Sequence, residues 1–343
     1  MRIALVNDVP MAIEAMRRIV VSSPEHQIAW TAMDGAQALA WCRRDRPDLI
    51  LMDLIMPQMN GVEATSRIMA ECPCAIVVVT ASVSGSCSAV FQAMGAGALD
   101  AVNTPVLEHL QGSTGGAQLL AKIETVRRLI GPATPKAFLT PRSAAEAASP
   151  EEHLIAIGAS AGGPAALAAI LAGLPRGFSC PIVVVQHVDA EFAPALASWL
   201  NDQSALEVRL ARTNDMPRSG TVLLAAGDKH LVLTERGTLT YATEPAECLY
   251  QPSVDVFFTS VRDHWSGGVT GVLLTGMGRD GAQGLLELRR AGHVTIAQDQ
   301  TSSAVYGMPK AAAQLDAASE ILSLERIGSR IRGCGTTATY AHA

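Results

Sequence analysis

Three residues in the second half of the chain have types suited to acyl transfer: Ser160, His187 and Asp280. Ser160 lies in LIAIGASAGGPAAL, after an apolar run that reads as a buried strand and before a helical segment. Small neighbours permit the tight turn that exposes a nucleophile, and Gly158, Ser160 and Gly162 spell G-x-S-x-G. That short pattern is common by chance, and a glycine-rich strand-to-helix turn equally binds phosphate or caps the helix. His187 closes PIVVVQH, where a lone His also serves as a hydrogen-bonded core residue. Asp280 lies in the turn of GVLLTGMGRDG, whose G-x-G-x-x-G spelling suggests a dinucleotide site. No acidic residue ends the following strand at the distance that site requires, so the dinucleotide reading is set aside.

Taken together, three strand ends present a nucleophile, a base and an orienting carboxylate. Ser160 would attack a carbonyl carbon, His187 would take and return its proton, and Asp280 would hold the imidazole. Backbone N–H groups of Ala161 and of the Met277 turn would form the oxyanion hole, worth about 10² to 10³ in rate per donor. The chain order Ser, His, Asp differs from the Ser, Asp, His of ordinary α/β-hydrolases, and no HGGG-type loop is present. Both features count against a general lipase or small-molecule serine esterase.

A second group lies near the N-terminus. Asp53 closes LILMD, Asp8 follows the first strand, and Thr80 ends AIVVVT. Ends of parallel strands converge, so the three can share one pocket suited to Mg²⁺ and to a phosphoryl group on Asp53. Singly, each Asp reads as a turn or helix cap.

The elements that position these groups are two α/β repeats. From residue 1 to 130, IALV, IAWTA, LILM, AIVVV and LDAV alternate with helical patterns, the last helix running from about Gly116 to Leu129. Residues 131–151 contain Pro132, Pro135, Pro141 and Pro150 among small residues and read as an interdomain linker. The alternation resumes over 152–332 with LIAIG, IVVVQH, TVLLAA, LVLT, GVLLTG and VTIAQD, and 333–343 reads as a disordered tail. The expected fold class is α/β, with two doubly wound parallel-sheet domains.

Composition narrows the function. At 343 residues with 49% hydrophobic and 17% charged, the chain has material for two cores and is not disordered. A net charge of −6 with no Lys/Arg cluster argues against nucleic acid as a partner. The seven cysteines include only one close pair, Cys72 and Cys74, so they read as reduced structural thiols. His230, His264 and His293 lack partners at ligand spacing and read as strand-end or helix-surface residues. Met277 reads as a residue of backbone position and packing and Met308 as a packing residue, with lining a substrate groove as the alternative for both. The start MRIALVNDVP is already strand-like rather than a signal peptide, which points to the cytoplasm. The uncharged stretch Leu154–Pro175 is broken by Gly158, Gly162, Gly163 and Pro164 and reads as strand, loop and helix, without membrane insertion.

Two family resemblances extend these readings. MDLIMPQMNGVEA, with Asp8, Asp53 and Thr80, resembles the response-regulator receiver family across residues 1–130. The resemblance implies a flavodoxin-like fold, Asp53 as phospho-acceptor, and Mg²⁺ held by Asp8, Asp53 and the carbonyl of Ile55, with Thr80 contacting the phosphoryl group. Two positions depart from the family. Asn7 replaces one of a usual acid pair, which implies weaker Mg²⁺ binding, and Thr104 stands where a Lys normally precedes the Pro.

In the second half, GASAGG, QH, GDKHL, QPSVDVFF, TGMGRDG and AQDQTSSAVYGMPKA occur in the order found in chemotaxis protein-glutamate methylesterases (CheB-like), across about residues 152–330. The resemblance implies a Rossmann-like catalytic domain that hydrolyses glutamate methyl esters on the cytoplasmic domains of methyl-accepting chemoreceptors, releasing methanol. It implies no cofactor for that step, receptor glutamine deamidation in some relatives, and a monomeric enzyme relieved of inhibition by a CheA-like histidine kinase. Ala161 departs from the Thr common in the family. NDVP and VNTP are similar to the branch serving Wsp-type surface-sensing pathways. The alternative from another class is a catalytically silent phospho-switch adaptor, for which Asn7 and Thr104 are the best argument.

Overall fold

A computed structural model of the chain describes residues 1–80, 83–105, 114–130, 153–246, 248 and 250–334. Two compact units divide it, Met1–Thr134 and Pro135–Ala343. The linker expected over 131–151 lies outside the described residues, as does the tail from 335 onward; the closing helix runs to Cys334, two residues past the expected boundary.

The first unit alternates β1 (Arg2–Val6), α1 (Pro10–Val21), β2 (Gln27–Ala32), α2 (Gly35–Arg44), β3 (Leu49–Met52), α3 (Gly61–Glu71), β4 (Ala75–Thr80), α4 (Val83–Gly95), β5 (Asp100–Asn103) and α5 (Thr114–Ile130). The strands form one parallel sheet in the order β2-β1-β3-β4-β5, the flavodoxin-like order. Every residue of β3 is buried, which is why LILM is continuously apolar rather than alternating. Asp34 and Asn60 cap α2 and α3, their side chains accepting from Gln37 N and Glu63 N. Met52 pairs with both Val6 and Val78, and Val78 with Ala101. This register brings the residues after β1 and β3 and those closing β4 and following β5 to one carboxyl edge.

The second unit contains β6 (Leu154–Ala159), α6 (Gly163–Ala172), β7 (Ile182–Gln186), α7 (Ala193–Gln203), β8 (Glu207–Leu210), β9 (Thr221–Leu224), β10 (His230–Leu233) and β11 (Leu239–Ala242). It continues with α8 (Val254–His264), β12 (Val269–Leu273), α9 (Ala282–Arg290), β13 (Val294–Gln298), α10 (Met308–Gln314), β14 (Glu320–Leu322) and α11 (Leu324–Cys334). Seven strands form a parallel sheet in the order β14-β13-β12-β6-β7-β9-β8. The chain builds outward from β6 to one side, then returns to place β12 on the other. The β6/β12 junction is therefore a topological switch point, where α/β sheets open a ligand crevice beyond their strand ends.

One expected strand falls elsewhere. LVLT belongs to β10, which pairs antiparallel with β11 in a separate two-stranded hairpin. The connection from Thr234 to Thr238, turning at Gly237 with φ 71°, is far too short for the crossover that parallel pairing demands. Leu231, Leu233 and Leu239 of the hairpin join Phe257, Phe258 and Val261 of α8 in the core. Burying each of these side chains contributes about 2 kcal/mol.

Candidate active site

Ser160 immediately follows the wholly buried β6 and is 9% exposed. Its N–H donates to Thr275 O at 3.1 Å, and its own carbonyl accepts from Gly163 N at 2.7 Å, closing the elbow into α6. Gly162 adopts φ 76°, and a Cβ there would sit 2.6 Å from Ala304 Cβ, so the turn requires glycine. The side-chain amide of Gln186, on adjacent β7, donates to the carbonyls of both Ser160 and His187 at 2.9 Å. Ala159 pairs with Gln186 in the sheet, so Ser160 and His187 emerge side by side from neighbouring strands.

Asp280 reaches the same place from the turn after β12. His187 Nε2 donates to Asp280 Oδ2 at 2.7 Å, with the two side chains 8% and 9% exposed. Three more donors converge on the carboxylate: Ser253 Oγ on Oδ1 at 2.7 Å, Val254 N on Oδ2 at 2.7 Å and Asp255 N on Oδ1 at 3.1 Å. Ser253 is the N-cap of α8, so Asp280 satisfies donors that the helix cannot, at the end where its dipole favours an anion. Burial pushes the Asp280 carboxyl up, but His187, Val254 N–H and the Ser253 hydroxyl outweigh it and hold it below the usual carboxylate range.

With Nε2 committed to Asp280, Nδ1 is the imidazole nitrogen left free to accept a proton. His187 Nδ1 is buried and has no hydrogen-bond partner, and Ser160 and His187 share no direct hydrogen bond in this structure. The ring stacks on Tyr250 with centroids 4.2 Å apart and planes 10° from parallel. Ala161 N and Met277 N make no hydrogen bond among the described residues, whereas Ala161 O accepts from Thr275 Oγ1 at 2.9 Å and Gly276 N donates to Val305 O at 3.0 Å. Two backbone donors are thus left without an acceptor among the described residues. Met308 is fully buried, with its sulfur packed against Gly276. The assembly has the parts for general-base-assisted nucleophilic attack followed by acyl transfer.

In the first unit, Asp53 N donates to Val6 O at 2.9 Å, and Asp53 Oδ1 accepts from Leu54 N at 2.7 Å and Ile55 N at 3.5 Å. Burial raises the Asp53 carboxyl, the two N–H bonds oppose this, and the Asp8 charge adds to the rise. Two acids within each other's field are oxygen donors of the kind that suits a hard divalent cation. Asn7 is buried and its Oδ1 accepts from Val9 N at 2.8 Å, so its side chain shapes the turn around Asp8. Thr80 is buried; Thr104 N donates to Thr80 O at 2.9 Å, while the buried Thr104 hydroxyl has no partner. Lys122 pairs with Asp100 at 2.8 Å.

Strand-end logic finds Ser160, His187, Asp280 and Asp53 but not the residues that hold them. Gln186 is visible only as the residue before His187. Ser253 could have been reached through QPSVD, where a Ser opening an apolar helix signals an N-cap. His230, read as a strand-end or helix-surface residue, lies at a strand end: it opens β10 and is fully buried. His264 and His293 belong to no group of three or more potential metal ligands among the described residues. Leu154–Pro175 folds as β6, the elbow and α6, and no described helix is long and apolar enough to cross a membrane.

Comparison with known proteins gives the families that the two units resemble. A family profile described as CheB methylesterase matches residues 155–331, and one described as Response regulator receiver domain matches residues 3–110. The chain is 55% identical over 331 residues to Protein-glutamate methylesterase/protein-glutamine glutaminase 1 of Pseudomonas fluorescens (strain Pf0-1), covering 96% of this chain and 98% of that protein. It is 54% identical over 333 residues to Protein-glutamate methylesterase/protein-glutamine glutaminase 3 of Pseudomonas aeruginosa, covering 96% and 98%. The crystal structure of the Thermotoga maritima CheB methylesterase catalytic domain superposes with a TM-score of 0.51 at 32% identity, covering 54% of this chain and 98% of that one.

Proposed function

The chain belongs to the CheB methylesterase family and carries a response regulator receiver domain ahead of the hydrolase, and from that premise we propose that Ser160, His187 and Asp280 hydrolyse γ-glutamyl methyl esters on chemoreceptor cytoplasmic domains. The protein is a protein-glutamate methylesterase/protein-glutamine glutaminase by family. The observation that carries the residue assignment is the His187–Asp280 hydrogen bond of 2.7 Å combined with a buried, unpartnered Nδ1 on a residue whose N–H donates to Ala159 O, just before Ser160, at 3.0 Å.

In this mechanism His187 Nδ1 accepts the Ser160 hydroxyl proton as Oγ attacks the ester carbonyl carbon. Asp280 stabilises the imidazolium through Nε2–H, and its own depressed pKa keeps it charged. Ala161 N–H and Met277 N–H hold the oxyanion, and Ala161 performs this role despite lacking the Thr side chain because the donor is backbone. Collapse of the tetrahedral intermediate breaks the ester C–O bond, and His187 returns the proton to the leaving methoxide, releasing methanol. Water, deprotonated by His187, then cleaves the γ-glutamyl ester on Ser160 and regenerates the enzyme. The same cycle with an amide leaves ammonia instead, which accounts for glutamine deamidation.

Phosphorylation of Asp53 by a histidine kinase is the proposed control input. Asp8, Asp53 and the Ile55 carbonyl would hold Mg²⁺, which supplies charge neutralisation at the phosphoryl group when bound. Thr80 would donate its hydroxyl to that group. With Thr104 in the position of the usual Lys, one charge-assisted contact is absent, so coupling to the hydrolase is weaker than in receivers that have it.

Methanol release from methylated receptor membranes by the wild-type protein and by Ser160→Ala tests the reading. A loss of at least about 10³-fold in Ser160→Ala is expected; equal release by the two would refute it.

A further inference from the structure

We propose that His230 is a positioning residue for the Asp280 carboxylate, acting through the backbone of Ser253; this assignment rests on the hydrolase reading above. His230 is fully buried at the start of β10, and both ring nitrogens are engaged. Nε2 lies 3.1 Å from the carbonyl oxygen of Pro245, which can only accept, so Nε2 carries the proton. Nδ1 is then an acceptor, and it takes the Ser253 N–H at 3.1 Å.

Ser253 is the residue from which three donors fan out to Asp280. Its Oγ–H, Val254 N–H and Asp255 N–H all end on the carboxylate. Ser253 Oγ in turn accepts from Val256 N at 3.3 Å as the α8 N-cap. Fixing the Ser253 peptide therefore fixes the direction of every donor that α8 contributes. The β10–β11 hairpin stands outside the parallel sheet and delivers the imidazole to the entrance of α8. An apolar residue of similar size would fill the same space but leave the Ser253 N–H without an acceptor. His230 touches no reacting atom; its effect passes through Ser253 to Asp280 and from Asp280 to His187.

Two replacements separate its two bonds. In His230→Asn the side-chain oxygen falls near the place of Nδ1 and keeps the Ser253 contact. In His230→Gln the amide N–H reaches toward Pro245, keeping that contact and losing the acceptor for Ser253. Full-length wild type, H230N, H230Q, S253A and H230Q/S253A are assayed for methanol release from methylated receptor membranes, with S160A as the blank. The expected result is a kcat about tenfold lower for H230Q with KM unchanged, and about threefold or less lower for H230N. The double variant should lose less than the product of its single losses, because both act on one carboxylate. Wild-type kcat in H230Q, equal loss in H230N and H230Q, or multiplicative losses in the double variant would overturn the proposal. A wild type no faster than S160A overturns the hydrolase reading itself, and this assignment with it.

Discussion

Asp255 offers a quantitative test of how the α8 entrance is charged. Its carboxyl accepts from Gly284 N at 2.7 Å in the first turn of α9 and lies in the field of Asp280. Burial raises the carboxyl from 3.8 to about 6, the Gly284 N–H opposes that rise, and the Asp280 charge adds to it. A folded-state value above the unfolded one means that the native protein binds the extra proton. Stability is therefore greatest below the unfolded value and declines as pH rises through about 6. The full rise corresponds to about 3 kcal/mol. Asp255 is only partly buried, and solvent screening reduces this to about 1–2 kcal/mol. Asp255→Asn removes the titration. Between about pH 7.5 and pH 5 about half of that change takes place, the rest lying between pH 5 and the unfolded value, so the wild type should gain about 0.5–1 kcal/mol relative to that variant, or about 1–4 °C in Tm for a unit of this size. Thermal unfolding of both full-length proteins at the two pH values measures the difference. A gap that does not change with pH would refute the reasoning, whatever its absolute size.

Other expectations follow from the same geometry. Asp280→Asn should lower kcat by about 10⁴-fold with little change in KM, because the amide no longer stabilises the imidazolium; steady-state methanol release checks this. Gly162→Ala forces a Cβ into a φ of 76° and against Ala304, so denaturant unfolding should show a loss of about 1–3 kcal/mol, together with most of the activity. With a small phosphodonor and Mg²⁺, the wild type should acquire an acid-stable, hydroxylamine-labile phosphoryl group that Asp53→Asn lacks; equal labelling would move the site elsewhere. Thr104→Lys places a cation where a buried hydroxyl now has no partner, and it should increase the stimulation of methanol release by phosphodonor. Unchanged stimulation would show that Thr104 is not the weak link.

The parts legible in the sequence are those written in short-range pattern. LILM and LIAIGA are apolar without alternation because parallel strands are buried, and the polar residue that follows such a run lies at the carboxyl edge. Ser160, His187 and Asp53 are therefore readable from strand endings alone. Asp280 is less direct, since it lies seven residues past Leu273 and reaches His187 only because the turn folds back onto the N-terminus of α8. Long-range contacts leave no local mark. The bonds from His230 to Ser253 and from Ser253 to Asp280 each span more than twenty residues, so no periodicity announces them. LVLT shows the converse: its strand propensity is evident, but whether it enters the parallel sheet depends on the short Thr234–Thr238 turn. Asn7 was readable as a departure from the usual acid pair, yet its hydrogen bond to Val9 N is a matter of turn geometry.

The central claim is that the acyl group passes through Ser160. Rapid acid quench of the wild-type protein with a methylated receptor peptide, followed by intact and peptide mass analysis, observes that step directly. The account predicts an adduct equal to the peptide less methanol on the fragment containing Ser160, absent from Ser160→Ala, whose methanol release also falls by at least about 10³-fold. Undiminished turnover by Ser160→Ala, or an adduct on another residue, would contradict it.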